Sequence, residues 1–283
     1  MELGDRLKEY ENRSETNISA DEHLIIRIDG HKFSKFTKGL RKPFDDIFRE
    51  VMVKTTEDLH ERFNACSSYT QSDEITLLLP VLKDRKDELL EHQFKGRTQK
   101  VASLASSFTT VSFNKHLRDI YKEEEVKHRE IYDDAFRKTP EETESRNRLV
   151  FIRSKFDLAY FDARAFGVPD ISEVANVFIW RSRDCIKNSK ATFAQAYCSH
   201  KELQNMNSEE QIQYTLEKYN QDWNTIENKY KFGYLIKKEL YIKDIDVHTG
   251  EQETCVRSRL NRLSIPMNTY SEELVDLITI KSV

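Results

Sequence analysis

Two acidic steps stand at the edges of short apolar runs. Asp29-Gly30 closes His23-Leu24-Ile25-Ile26-Arg27-Ile28, and Asp73-Glu74 follows Tyr69-Thr70-Gln71-Ser72 and leads into Ile75-Thr76-Leu77-Leu78-Leu79. Aspartate carboxylates and a backbone carbonyl, here that of Gly30, are the hard oxygen donors Mg²⁺ takes. The ion needs few of them from protein when phosphates supply the rest. If the two runs are neighbouring strands, the pair suits a polymerase-type palm with two Mg²⁺ ions beside a triphosphate, and the chemistry is nucleotidyl transfer. Each step also has a plainer reading. Asp-Gly is a common hairpin-turn dipeptide, and Ser72-Asp73-Glu74 equally fits a solvated corner.

Cations at useful spacing accompany the acids. Arg97, Lys100, Ser103 and Ser106 recur at every third position around an expected helix start. Such donors share roughly one face, and a helix N-terminus favours anions; a triphosphate clamp and a solvated basic face both fit. Lys42, just before Pro43, and Arg27, inside an apolar run, offer further phosphate contacts. A buried guanidinium needs an anion, and a structural carboxylate serves as well as a phosphate. Trp180-Arg181-Ser182-Arg183-Asp184 and Lys187-Asn188-Ser189-Lys190 mix an aromatic with cations and amides. The indole is expected in the core as the last apolar position of its helix, and the cations on RNA or nucleotide. His200 stands alone and fits a hydrogen-bonded structural role.

Positioning these groups requires a sheet. Residues 24–28 read as a buried strand, followed by a basic loop to Pro43. Phe44, Ile47, Phe48, Val51, Met52, Thr55, Leu59 and Phe63 recur at helical spacing. Residues 66–70 and 75–79 flank a hairpin without the usual glycine. Val101, Leu104, Ala105, Phe108 and Val111 outline a second helix, and residues 158–161 a fourth strand. The order β-α-β-β-α-β is the ferredoxin-like unit, an α+β fold with an antiparallel sheet. Residues 122–148 are nearly all charged or polar and read as an exposed insertion, either a helical arm or disordered. Helices are expected after Asp170 and after Ser208, each with a capping-box partner three residues on. Residues 233–240 suggest one more strand, and from Thr254 a basic cluster gives way to a tail.

Composition narrows the class. The chain has 283 residues, 33% charged and 38% hydrophobic, with a net charge of −4. That total disfavours a generic nucleic-acid coat without excluding a local basic surface. No apolar stretch approaches the ~20 residues of a membrane span. Residues 1–21 lack the features of a secretion or transit signal, so a cytoplasmic protein with no membrane partner is expected. The four cysteines show no CxxC pair, which points to reduced thiols and not to a zinc site.

Taken in order, Arg27-Ile28-Asp29-Gly30-His31-Lys32-Phe33-Ser34-Lys35-Phe36, Tyr69-Thr70-Gln71-Ser72-Asp73-Glu74, Phe94-Lys95-Gly96-Arg97, Phe161-Asp162-Ala163-Arg164 and Trp180-Arg181-Ser182-Arg183-Asp184 resemble the tRNA-His guanylyltransferase superfamily. Asn188-Ser189, Ser199-His200-Lys201-Glu202-Leu203 and the stretch from Trp223 to Gly233 are similar to its guanylyltransferase-like branch. The likeness runs from about residue 6 to residue 240. It implies a reverse polymerase that adds nucleotides to the 5′ end of a tRNA in the 3′–5′ direction, after ATP has adenylylated a 5′-monophosphate. The implied architecture is a polymerase-like palm with helical fingers, assembled as a homotetramer. Residues 1–165 would be the palm with its charged insertion at 122–148, residues 166–240 the fingers-like region and closing strand, and 241–283 a C-terminal extension.

The resemblance also implies roles. Asp29 and Asp73 match the metal-binding acids for two Mg²⁺, with the Gly30 carbonyl beside them and Glu74 in support. Ser72, Lys42, Arg97 and Lys100 match positions that contact the triphosphate of ATP or another nucleoside triphosphate. Arg27 and Asp45 match flanking positions, and Asn188 an asparagine of the fingers motif. One departure is instructive. Founding enzymes carry a His-Ile-Asn-Asn run where this chain has Ile186-Lys187-Asn188-Ser189. The missing histidine favours template-dependent repair of 5′-truncated tRNA over addition of G at position −1 of tRNA-His. A palm-type nucleotide cyclase and a non-catalytic tRNA-binding protein remain as alternatives; the chain lacks the Gly-Gly-acid-acid-Phe hairpin of the cyclases.

Overall fold

The computed structural model describes residues 2–132, 139–246 and 252–281. Its strands are β1 (His23–Gly30), β2 (Ser67–Gln71), β3 (Glu74–Leu79), β4 (Leu82–Lys83), β5 (Leu89–Leu90), β6 (Phe161–Val168), β7 (Tyr234–Asp246) and β8 (Gln252–Leu263). Its helices are α1 (Leu3–Asn12), α2 (Phe33–Phe36), α3 (Asp46–Arg62), α4 (Thr98–Tyr132), α5 (Pro140–Arg153), α6 (Ile171–Tyr197), α7 (Ser208–Tyr219), α8 (Asn228–Phe232) and α9 (Glu272–Thr279). Six strands form one antiparallel sheet in the order β6-β1-β3-β2-β7-β8, and β4 pairs with β5 apart from it. The first four strands in that order reproduce the expected ferredoxin-like unit, and the protein is an α+β fold.

Period-two alternation sets the faces of the sheet. Leu24, Ile26 and Ile28 of β1 and Ile75, Leu77 and Leu79 of β3 pack with α3, α4 and α5 in one core. Ile25 and Leu78 point the other way, into a second core with Val174 and Phe178 of α6 and Ile278 of α9. Arg27, Asp29, Glu74 and Thr76 continue that second face. Asp45 caps α3 by accepting from the Phe48 amide at 3.0 Å, and Asp170 caps α6 through the Glu173 amide at 2.9 Å, contacts worth about 1 kcal/mol each.

Several boundaries differ from the sequence reading. The fourth strand begins at Phe161, where the expected one ended, because Leu158 and Tyr160 are exposed and pairing with β1 runs from Phe161 to Val168. The second helix runs unbroken to Tyr132, and within the expected insertion α5 starts at Pro140; residues 133–138 of that insertion lie outside the described residues. α5 is tied to the core through Leu149 and Ile152, an apolar pair that the surrounding charge obscures. The cap of α7 is Asn207, with Glu210 completing the box one residue earlier than expected. The basic cluster after Thr254 is the strand β8, paired along its length with β7. All four cysteines are free. Among the described residues no helix is long and apolar enough to cross a membrane.

Candidate active site

Asp29 is the penultimate residue of β1 and Asp73 occupies the turn before β3, the strand beside it. The Gly30 amide donates to the Asp73 carbonyl at 3.1 Å, and Asp29 lies opposite Glu74 on one side and Asp162 of β6 on the other. The hairpin-turn reading of Asp-Gly therefore fails: Gly30 is the last residue of β1 and pairs with Phe161. Its lack of a side chain serves close packing, since a Cβ there would come within 2.4 Å of the Phe33 ring. Phe33 in turn contacts Phe36, Phe48, Phe113 and Phe161 at centroid distances of 4.8 to 6.0 Å, a rigid backing for the Asp29-Gly30 peptide. The β2–β3 turn manages without glycine because Ser72 takes φ +46°, a left-handed conformation open to few other residue types.

The acids differ sharply in their partners. Glu74 accepts from Arg27 Nε at 3.2 Å, from Gln71 at 3.0 Å and from Arg181 of α6, which also holds Asp184 at 2.8 Å. Asp29 and Asp73 form no ion pair with any described residue; Asp73 receives only the Ser72 hydroxyl at 3.0 Å. Burial, reinforced by the charge of Asp29, pushes Asp73 up to about 6. Burial and the neighbouring Glu74 and Asp162 raise Asp29 as well. Arg27 and Arg164 offset only part of this at Asp29, and two desolvated carboxylates that repel each other without an ion pair are a site that wants a cation. Among the described residues no three His, Cys, Asp or Glu side chains are set to hold one by themselves. Asp29, Asp73 and the Gly30 carbonyl fit Mg²⁺, which keeps water and phosphate oxygens in most of its positions.

Beside the acids, on the β2–β7 side, opens a cavity of about 300 Å³. Lys42, Ser72 and Asn188 line it, as does Gly233, whose positive φ and 2.4 Å clearance from the Thr70 carbonyl admit no Cβ. One wall is the stacked pair Phe44–Tyr230, centroids 4.8 Å apart, and Arg49 donates to the Tyr234 hydroxyl at 3.2 Å. An aromatic wall with cations and amides at the rim suits a nucleoside with its phosphates directed toward the acids.

Not every expected site residue joins this group. Arg97 and Lys100 stand at the start of α4, where the Ile18 amide donates to Gly96 at 2.9 Å and the Thr98 amide to Thr16 at 2.9 Å, upstream of β1. Three turns further along α4, Thr110 meets Phe161 at the acidic end. The two cations thus sit roughly 20 Å from the acids, along the other face of the sheet; Arg97 approaches Glu15 at 4.0 Å. A single-chain triphosphate clamp is not formed, because α4 runs toward the acids from the far end. Asp45 borders the cavity, but its oxygens are taken by the Phe48 and Arg41 amides and by Arg148 at 2.9 Å, so it holds the α3 end in place. Arg27 has the structural carboxylate that the sequence left open. Trp180, expected in the core, is 51% exposed. His200 is exposed and has no side-chain partner among the described residues. Asp162 and Arg164 were not singled out as site residues; their alternation on β6, shifted by the misplaced strand, is the signal that would have found them.

Comparison with known proteins agrees with this geometry. Residues 4–169 match a family model described as tRNAHis guanylyltransferase. The chain is 34% identical over 248 residues to the uncharacterized protein R259 of Acanthamoeba polyphaga mimivirus, covering 86% of this chain and 79% of that one. Among solved structures, a bacterial tRNA(His) guanylyltransferase-like protein in complex with ATP superposes with a TM-score of 0.65 at 33% identity, over 83% of this chain and 88% of that one. A bacterial protein of the same description in complex with GTP gives 0.65 at 29% identity, over 96% and 98%.

Proposed function

The chain belongs to the tRNAHis guanylyltransferase family, nucleotidyltransferases that act on tRNA, and from that membership we propose that it repairs 5′-truncated tRNA by template-dependent 3′–5′ nucleotide addition centred on Asp29 and Asp73. The observation that carries the reading is the pair of neighbouring, partly desolvated carboxylates that form no ion pair among the described residues, beside a cavity of nucleoside size. Asp29, Asp73 and the Gly30 carbonyl would hold two Mg²⁺ ions, whose chemistry there would be to neutralise charge on the polyphosphate and to acidify the attacking hydroxyl.

The chain's own groups bind and align. Lys42, Ser72 and Asn188 orient the triphosphate and ribose of ATP, or of the incoming nucleotide, at the mouth of the cavity. Alignment supplies most of the rate in phosphoryl-type transfer. In the first reaction the 5′-phosphate oxygen attacks the α-phosphorus of ATP and pyrophosphate leaves. In the second, the 3′-hydroxyl oxygen of the incoming nucleotide attacks the activated 5′-phosphorus and AMP leaves. Glu74 keeps Arg27 and Arg181 in place beside the acids. Residues 1–165 act as the palm, 166–240 as fingers and 241–283 as an extension, in a cytoplasmic protein. Ile186-Lys187-Asn188-Ser189, in place of the founding His-Ile-Asn-Asn, supports repair over G−1 addition.

The remote position of Arg97 and Lys100 supports a homotetramer in which each copy lends these cations to the triphosphate of a neighbour. Mixing inactive Asp29→Ala and Arg97→Ala proteins then restores addition, which separate monomers cannot do.

The deciding experiment supplies a tRNA lacking its first 5′ nucleotide, with a 5′-monophosphate, together with ATP, Mg²⁺ and each nucleoside triphosphate in turn. Addition of the base complementary to the opposing nucleotide, lost in Asp29→Ala and Asp73→Ala, is the expected result. Full activity in both variants overturns the reading, and G added solely to tRNA-His assigns the founding reaction in place of repair.

A further inference from the structure

Joining two nucleotides requires two binding regions on either side of the acids, and the cavity on the β2–β7 side accounts for one. The sheet order β6-β1-β3-β2-β7 places a second surface on the opposite side, over β1 and β6. Its centre is Trp180 on α6, a residue 51% exposed although α6 buries residues on both sides of it, Ile179 and Arg181. The guanidinium carbons of Arg181 and Arg27 lie 4.5 Å and 5.4 Å from the centre of the indole. Both arginines are held by Glu74, the residue opposite Asp29. Arg164 of β6, exposed, stands opposite Arg27 in the strand register. The indole is therefore fixed by charge on arginines that are themselves fixed at the acidic edge, with half of its surface given to solvent.

Tryptophan is highly buried on average, so an indole left half open stands out more than the exposed tyrosines do. Beside cations it is the composition of a nucleobase platform: the ring takes the flat face of a base, and arginine takes the phosphate that follows it. We propose that Trp180 stacks on the terminal base of the RNA end being extended, with Arg164 on the adjoining phosphate, so that the 5′-phosphorus lies over Asp29 and Asp73 and faces a nucleotide held in the cavity. This rests on the proposed 3′–5′ addition and deepens it by assigning the acceptor's position. The incoming nucleotide and the RNA end then occupy opposite sides of the acids, and Trp180 contacts the RNA alone.

The chain reports on this directly, because it has two tryptophans and the other, Trp223, is buried with its Nε1 donating to Ser189 at 3.0 Å. Intrinsic fluorescence of the full protein is titrated with three probes: a 5′-truncated, 5′-monophosphorylated tRNA, the same RNA with an abasic 5′-terminal residue, and a nucleoside triphosphate alone. Saturable quenching by the intact RNA, little by the abasic RNA or the triphosphate, and none by intact RNA in Trp180→Phe is the expected pattern. In addition assays Trp180→Ala raises the KM for RNA by roughly five- to a hundredfold, Trp180→Phe recovers most of that loss, and the KM for the nucleotide stays within about twofold. Equal quenching by abasic and intact RNA, quenching by triphosphate alone, or unchanged RNA affinity in Trp180→Ala overturns the proposal. Asp29→Ala separates the two readings: RNA quenches it as in the natural protein if the platform exists, whereas sustained addition by that variant defeats the proposed function and leaves the stacking result standing.

Discussion

The same sheet buries charge at both of its ends and treats it in opposite ways. At one end Asp29 and Asp73 are partly desolvated and unpaired. At the other, the ammonium of Lys237, 1% exposed, is surrounded by oxygen: the Cys66 carbonyl at 3.0 Å, the Ser67 hydroxyl at 2.8 Å, the Ile278 carbonyl at 3.3 Å and the Ile280 carbonyl. His60 of α3 lies nearby, its Nδ1 2.8 Å from the Ser68 hydroxyl. Burying charge costs free energy wherever it occurs. At the lysine end the protein offsets that cost itself, fastening the C-terminal turn of α9 to β2 and β7. At the aspartate end the offset must come from a ligand. A buried charge whose partners are all internal belongs to the fold; one whose partners are missing belongs to function.

The largest expected effect breaks the comparison at its aspartate end. Asp73→Ala or Asp29→Ala lowers nucleotide addition by roughly 10³-fold or more, measured on 5′-truncated tRNA. Removing one of two repelling carboxylates leaves the urea midpoint equal to or above that of the natural protein. A large loss of stability in both variants would place these acids with Lys237, as structural charge.

Lys237→Ala makes the converse prediction. It removes the cation shared by these oxygens, of which the Ile278 carbonyl keeps the Ser67 hydroxyl as a donor, and leaves a cavity beside them, which costs about 2–4 kcal/mol of stability. Limited proteolysis shows the segment after Ser271 released first. The fraction that remains folded adds nucleotides at nearly the rate of the natural protein, because Lys237 lies at the far end of β2 from the hairpin that carries Asp73.

The sequence displayed the two ends unequally. The positions of Asp29 and Asp73 were legible because each closes or opens a short apolar run that reads as a buried strand, and a strand's period of two sets which face a residue joins. The β1 and β3 assignments followed for the same reason. Lys237 was not legible: within Leu235-Ile236-Lys237-Lys238 it looks like any solvated lysine, and its burial depends on α9, more than thirty residues downstream. Trp180 failed similarly, since helical periodicity counts an apolar residue as core and cannot show that Arg27 from a distant strand reaches beneath it. The clamp of Arg97 and Lys100 had correct spacing on one helix face, but spacing carries no information on which end of the sheet that helix starts from. The β8 strand was hidden by its arginines, which pair with Glu50, Glu57 and Glu239.

The smallest effect sharpens the comparison at the structural end through pH. Burial and the facing charges of Lys237, Lys238 and Lys281 hold His60 down at about 4, with the Ser68 hydroxyl its hydrogen-bond partner. Its ordinary value is 6.5. Below that value the unfolded chain takes up a proton that the folded protein refuses, so the unfolded state gains stability as pH falls. The folded protein therefore loses stability between pH 6.5 and about 4, and no further below. The full loss is about 3 kcal/mol, of which about 2 kcal/mol has accrued by pH 5. His60→Gln keeps an amide near Ser68 but cannot titrate, so its urea midpoint changes less between pH 7.5 and pH 5 than that of the natural protein. Parallel midpoints in the two proteins would mean that His60 takes up its proton in the folded state, and the lysine end would then hold a second buried positive charge beside Lys237.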